Sequence, residues 1–180
     1  MKQKTIQNQT TKRKRDHDMK YMFASDVHGS AYYCRLMLEK YKEEQAERLV
    51  LLGDLLYHGP RNDLPKEYAP KEVIKMLNGM KNDIYAVRGN CEAEVDQMVL
   101  EFPVMADYCI LAINGLTFYA THGHVYNENN LPPFHEGDIL IHGHTHVLKA
   151  EQKEGHTYAE TQISLSCGGY EFKTKGKTVV

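Results

Sequence analysis

Five short stretches of this chain carry side chains that bind divalent cations and activate water: Asp26-Val27-His28, Gly53-Asp54, Arg88-Gly89-Asn90-Cys91, His122-Gly123-His124 and Gly143-His144-Thr145-His146. Each offers carboxylate, amide or imidazole donors. Such an oxygen and nitrogen set without thiolate suits Mn²⁺, Fe²⁺, Co²⁺ or Zn²⁺ and leaves open which is bound. Taken alone, Asp-x-His arises often by chance, and a polar strand end explains it equally well. The histidines argue otherwise, because five of the ten fall between positions 122 and 146, a bias that no packed core requires.

Those stretches need strand ends to hold them. Apolar runs at Lys20–Ser25, Arg48–Leu52, Ile84–Val87, Leu116–Thr121 and Ile139–His142 each stop at one of the polar groups. In open α/β sheets, sites form beyond the carboxyl ends of the strands, so five such ends converge far more specifically than any single motif. Side chains two residues apart in extended backbone share a face, and this period predicts that Asp26 pairs with His28, and His144 with His146.

Helical spacing connects the early strands. Ala31–Gln45 carries Tyr33, Leu36, Met37 and Tyr41 on one face; a second helix opens at Pro70, carries Val73, Leu77 and Met80, and ends near Lys81-Asn82; a short third one spans Ala93–Leu100. The style then changes to hairpins, with Tyr108–Ile113 and Leu116–Thr121 flanking Asn114-Gly115, and further strands at Val147–Gln152 and His156–Ser166. Strand–helix alternation followed by hairpins predicts two packed sheets with helices outside.

At 180 residues, with 42% hydrophobic and 26% charged side chains, the chain suits one domain. No apolar run approaches the ~18 residues of a membrane span and no signal-peptide core is present, so a cytoplasmic protein is expected, without a membrane partner. Cys34, Cys91, Cys109 and Cys167 show no disulfide or zinc-ribbon spacing. Residues 1–18 hold six basic side chains against Asp16 and Asp18, leaving the remainder at −6. A disordered basic leader at 1–18 and one domain at 19–180 are expected. A body this acidic offers little groove for a nucleic acid. Both a monomer and a homo-oligomer stay open.

In this order, the motifs resemble those of the calcineurin-like metallophosphoesterases, and His58-Gly59-Pro60-Arg61-Asn62 with Arg88-Gly89-Asn90-Cys91 narrows the resemblance to the YfcE-type bacterial phosphodiesterases. It runs from about Met19 to about Glu151 and implies a four-layer α/β/β/α sandwich of two mixed β-sheets flanked by helices. It also implies two metal ions, Mn²⁺ foremost. Asp26, His28 and His146 would hold one, Asn90, His122 and His144 the other, and Asp54 would bridge them. Two ions would polarise phosphoryl oxygens and acidify a water for attack on a small phosphodiester. Many superfamily members place a proton-donating His after the Asn ligand, where this chain has Cys91; a thiol is the less apt acid near neutral pH. His124 could touch the second ion or the substrate. Arg88 could assist the phosphate, or simply pair with a carboxylate. His58 reads as a loop residue beside the site, and His142 as a buried neighbour.

Two other functions share this fold or this charge pattern. One is a catalytically weak protein-interaction scaffold, as in a retromer subunit that resembles these enzymes with a degraded ligand set; the other is a nuclease-like phosphoesterase using the basic leader. Seven intact ligand positions favour the enzyme over the first, and the acidic body disfavours the second. The stretch from Tyr158 to the end departs from the YfcE-type pattern, so incomplete C-terminal strands and a weakened second sheet are expected.

Overall fold

The computed structural model of the protein describes residues 19–113, 115–147, 149–153, 156–160, 172–174 and 177–179. The basic leader and the turn residue Asn114 lie outside the described residues, as does most of the divergent stretch after Glu160.

Strands β1 (Tyr21–Ala24), β2 (Arg48–Leu51) and β3 (Ile84–Ala86) form one sheet in the order β1-β2-β3. Its pairs are parallel throughout, with Ala24 beside Leu51 and Leu51 beside Ala86. Alternate residues of these strands serve two cores. Ala24, Leu49, Leu51, Ile84 and Ala86 face helix α1 (Ala31–Glu43) through Cys34, Met37 and Tyr41, and helix α2 (Pro70–Asn78) through Val73 and Leu77. Tyr21, Phe23, Val50, Leu52 and Val87 face the second sheet. This double burial is why β2 reads as an unbroken apolar run.

The second sheet contains β4 (Tyr108–Ile113), β5 (Leu116–Thr121), β6 (Ile139–His142), β7 (Lys149–Lys153) and β8 (His156–Glu160), in the order β4-β5-β6-β8-β7. It is mixed: β4 runs antiparallel to β5, β6 lies parallel to β5 and β8, and β7 runs antiparallel to β8. Ile113, Phe118, Ala120, Ile139 and Ile141 close the inter-sheet core. Tyr119 and Leu140 point the opposite way, against Phe134.

The expected architecture of two packed sheets with helices outside is present, and three details depart from expectation. The first sheet is wholly parallel, because each of its connections carries a crossover segment and no hairpin joins it. Over the second sheet's outer face the described chain lays the 123–138 loop, anchored by Tyr119 Oη donating to Pro133 O at 2.6 Å. At the C-terminus, β9 (Phe172–Thr174) and β10 (Lys177–Val179) pair antiparallel with each other, as a ribbon separate from the five-stranded sheet. Among the described residues, no helix is long and apolar enough to cross a membrane.

Local chemistry sets the helix starts. Ser30 caps α1: its Oγ accepts from Tyr33 N at 3.2 Å while donating to Lys66 O at 2.6 Å. That second bond, with Ala31 N–H to Glu67 O and Ala69 N–H to Gly29 O, straps the 55–69 loop against the end of β1. Pro70 opens α2, where its missing N–H costs nothing. α2 stops at Asn78, earlier than its apolar spacing suggests, and turns rather than helix continue to Asp83.

Candidate metal centre

All seven candidate ligands gather where β1, β2, β3, β5 and β6 end, on the carboxyl side of each strand. Backbone conformation there is unusual. Among the described non-glycine residues, positive φ occurs at Asp26 (59°), His28 (49°), Gln45 (54°), Asp54 (54°), Glu67 (51°), His144 (80°) and His146 (60°), so five of the seven are candidate ligands. Left-handed backbone is costly for side-chain-bearing residues and collects at functional sites. It also corrects the expected mechanism of convergence. β1 ends at Ala24 and β6 at His142, so alternation along a strand aligns neither Asp26 with His28 nor His144 with His146; left-handed turns aim each side chain separately.

The result is two lobes around one carboxylate. In the first, Asp26 Oδ1 lies 3.3 Å from His146 Nε2 and 3.5 Å from His28 Nε2, the two imidazole nitrogens are 3.2 Å apart, and Asp54 Oδ2 is 3.8 Å from His28 Nε2. In the second, Asp54 Oδ1 lies 3.5 Å from His122 Nε2, which is 3.0 Å from Asn90 Oδ1. The His144 ring centres 5.0 Å from His122. His146 thus stands beside the first lobe and the His144 ring beside the second.

These donors fit divalent ions. Ligands ~2.1 Å from an ion and ~90–110° apart stand ~3.0–3.4 Å from each other; the Asp26–His146, His28–His146 and His122–Asn90 pairs have this spacing at 3.0–3.3 Å, while Asp26–His28 and the two Asp54 contacts are wider at 3.5–3.8 Å. His28 donates its Nδ1 proton to Tyr57 O at 2.8 Å and His122 donates its own to Leu52 O at 2.7 Å, which leaves the Nε2 lone pairs turned inward. Asp26 Oδ1 is buried and accepts no hydrogen bond. Asp26, His28, Asp54 and His122 are buried while Asn90, His144 and His146 reach solvent, and acceptors converging at such a pocket mouth suit a cation between them.

The partners of Asp26 show how firmly it is held. Its Oδ2 accepts from Ser25 Oγ at 2.6 Å and from the His144 N–H at 3.0 Å, and Gly143 packs so closely that a Cβ there would overlap Ser25 Oγ and Asp26 Oδ2. Burial pushes the Asp26 carboxyl up, but His146, His28, His122 and Ser25 together hold it well below the usual carboxylate range. Burial pulls His28 down, yet Asp26, Tyr57 O and Asp54 leave it raised; His146 is raised chiefly by Asp26. His144 and His124 go the other way, lowered by burial and then by His122.

The remaining candidates fall at different distances from the lobes. Cys91 N–H donates to Asp54 Oδ1 at 2.9 Å, and its Sγ lies within 4.8 Å of ligand atoms of His28 and Asp54. Burial and then Asp54 push this thiol up, keeping it protonated. The His124 ring is 5.3 Å from that of His122 and 6.3 Å from that of His144, and its buried Nδ1 has no partner. Arg88 takes the second of its two expected roles: its Nη2 donates to Asp107 Oδ1 at 2.8 Å, joining the end of β3 to the segment before β4. His142 lies on the outer face of the second sheet, 3.4 Å from Glu128. His58 sits between Tyr57 and Tyr68, with ring centroids at 4.9 and 5.2 Å. Glu92 is absent from the sequence-based expectations. Its carboxylate accepts from Asp54 N, Leu55 N and Gly89 N. An acid following Gly-Asn-Cys with no basic residue beside it was the available signal.

Helices outside two packed sheets, with an imidazole and carboxylate cluster at the strand ends, define a class. Over residues 19–174 the chain matches the calcineurin-like phosphoesterase superfamily domain, and it belongs to that superfamily. Among its relatives is the phosphodiesterase YfcE of Escherichia coli K12, 44% identical over 152 residues, covering 84% of this chain and 83% of the relative. The solved structure of E. coli YfcE, described as a phosphoesterase, superposes with a TM-score of 0.79 at 43% identity, covering 84% of each chain. Phosphodiesterase MJ0936 of Methanocaldococcus jannaschii is 26% identical over 142 residues, covering 74% of this chain and 77% of the relative.

Proposed function

We propose that the protein hydrolyses small phosphodiesters with two divalent ions, one held by Asp26, His28 and His146, the other by Asn90, His122 and His144, with Asp54 shared between them. The chain is a metal-dependent phosphoesterase by family and a phosphodiesterase by its relatives. The observation that carries the two-ion reading is the position of Asp54, one oxygen 3.8 Å from His28 Nε2 and the other 3.5 Å from His122 Nε2. A carboxylate has an oxygen for each lobe, whereas a neutral imidazole has one inward lone pair.

When bound, such ions supply Lewis acidity to the phosphoryl oxygens and acidify a water. The chain's own groups supply orientation and protons. Tyr57 O and Leu52 O hold the His28 and His122 rings in the tautomer that ligates, and Ser25 with the His144 N–H fixes the Asp26 carboxylate. His124, neutral near pH 7 and with its ring beside those of His122 and His144, is placed at the edge of the second lobe where a phosphoryl oxygen would lie. Cys91 keeps its proton and can give it to a departing oxygen, though a thiol with so raised a pKa gives it up reluctantly. Esters with good leaving groups should therefore react fastest. Mn²⁺ is the ion favoured by the family resemblance.

The test is turnover of bis(p-nitrophenyl) phosphate and p-nitrophenyl phosphate by metal-stripped protein, before and after adding Mn²⁺, Co²⁺ or Zn²⁺. Activity restored by metal and favouring the diester is expected. Full activity after exhaustive chelation would overturn the mechanism.

A further inference from the structure

We propose that Glu92 is a positioning residue for the metal centre: its carboxylate clasps the end of β2 to the end of β3 and thereby fixes the place of Asp54. This rests on the two-ion reading of Asp54 given above. Glu92 Oε2 accepts from Asp54 N–H at 2.8 Å and Gly89 N–H at 2.6 Å, and Oε1 accepts from Leu55 N–H at 2.7 Å. Three backbone donors from two segments thus end on one side chain.

The strands cannot do this themselves. The β2–β3 ladder stops at Leu51 and Ala86, and among the described residues Val87 N–H to Leu51 O is the last backbone bond between the two segments on the way to the site. Beyond it lie the left-handed Asp54 and Gly89, packed so tightly that a Cβ would overlap Asp54 Oδ1 and Asp54 N. Asp54 O and Leu55 O are committed to His28 N–H and Gly29 N–H, both at 2.8 Å. The N–H groups of the same two residues point the other way, and Glu92 satisfies both; buried donors left unpaired are costly.

The clasp is also reciprocal. Cys91 N–H donates to Asp54 Oδ1 at 2.9 Å, so the 89–92 segment holds the Asp54 side chain through Cys91 and the Asp54 main chain through Glu92. Fixing both ends of one residue orients its carboxylate toward two lobes at once. An ionised carboxylate suits this task because all its lone pairs accept. A Gln amide must turn its NH₂ toward at least one backbone N–H, whichever way it lies.

The 180-residue chain is stripped of metal and titrated with Mn²⁺ by calorimetry and by electron paramagnetic resonance, as wild type, Glu92→Gln and Asn78→Ala. Asn78 is the control because it also joins two segments by hydrogen bonds, to Val99 O and Glu101 N, each at 2.9 Å and away from the site. Wild type should show a spin-coupled manganese pair. Glu92→Gln should bind 10–100-fold more weakly, the range for groups that orient ligands, and at saturation should give isolated-ion spectra; Asn78→Ala should match wild type. Should Glu92→Gln not fold, amide exchange in metal-free wild type decides, since Asp54, Leu55 and Gly89 must be protected together. Wild type without a coupled pair overturns the two-ion reading. A coupled wild type with an unchanged Glu92→Gln spectrum and affinity overturns the clasp alone, as do equal losses in Asn78→Ala or rapid exchange of the three amides.

Discussion

Asp54→Asn removes one unit of charge from between the two lobes while keeping the volume. The existing contacts decide how the new amide lies: Cys91 N–H donates to Oδ1, so the carbonyl oxygen stays there and the NH₂ replaces Oδ2, facing His28 and its lobe. The first lobe therefore loses a ligand, and the second keeps a neutral one. At an effective dielectric of ~20, a unit charge ~4 Å away contributes ~4 kcal/mol, a floor for a doubly charged ion and worth roughly a thousandfold in affinity. Metal-free protein should tell the opposite story, because the buried Asp26 and Asp54 carboxylates lie within 4.8 Å of each other and the substitution relieves their repulsion. Calorimetric Mn²⁺ titration, thermal melts in EDTA and in Mn²⁺, and turnover of bis(p-nitrophenyl) phosphate measure the three effects. We expect a midpoint in EDTA at or above wild type, loss of most Mn²⁺-induced stabilisation, and loss of turnover. A folded variant with Mn²⁺ affinity and turnover within about threefold of wild type would refute the role given to Asp54.

Three further outcomes follow from the same geometry. Cys91→His should speed hydrolysis of esters with alkoxide leaving groups more than nitrophenyl esters, which hardly need a proton; equal changes for both classes would remove Cys91 from the leaving-group side. Because His28 and His146 have raised pKa values, the stability they give the metal-free protein is present in mild acid and lost as pH rises through those values. Metal requires both rings neutral, so between about pH 6 and 8 midpoints should fall with pH in EDTA and rise with pH in Mn²⁺; parallel slopes would count against the assignment. Gly89→Ala should abolish Mn²⁺ loading and cost about 1–3 kcal/mol from overpacking, whereas Gly137→Ala, at φ 91° in open space, should cost about 1 kcal/mol and leave loading intact, both by melts and calorimetry.

Much of this was legible in the residues because strand ends are where apolar runs stop. Strands β4, β5 and β6 fall within their expected bounds, and β1, β2 and β3 end one residue early. Ligand types and order could be read for the same reason. What could not be read is conformation beyond those ends. Period-two alternation stops being informative once the chain leaves β1 at Ala24, and nothing local announces that Asp26 and His28 turn left-handed. Glu92 escaped notice because two of its three partners lie 37 and 38 residues away at Leu55 and Asp54, and all three are backbone groups, which leave no mark in residue identity. Arg88 was ambiguous because a guanidinium suits a phosphate and Asp107 equally.

The left-handed ligands set a direction for evolutionary drift. Such conformations cost of order 1–3 kcal/mol each, with Asp and His tolerating them better than most residues, and glycine would adopt them freely. On the two-ion reading, metal affinity and catalysis would keep Asp26, His28, Asp54, His144 and His146 in place against that cost. A descendant relieved of catalysis would meet glycine at these positions as a stabilising step, with the sheets beneath undisturbed. Loss of chemistry on this fold is therefore easy and its recovery steep, since each ligand would have to return before the ion that rewards it can bind.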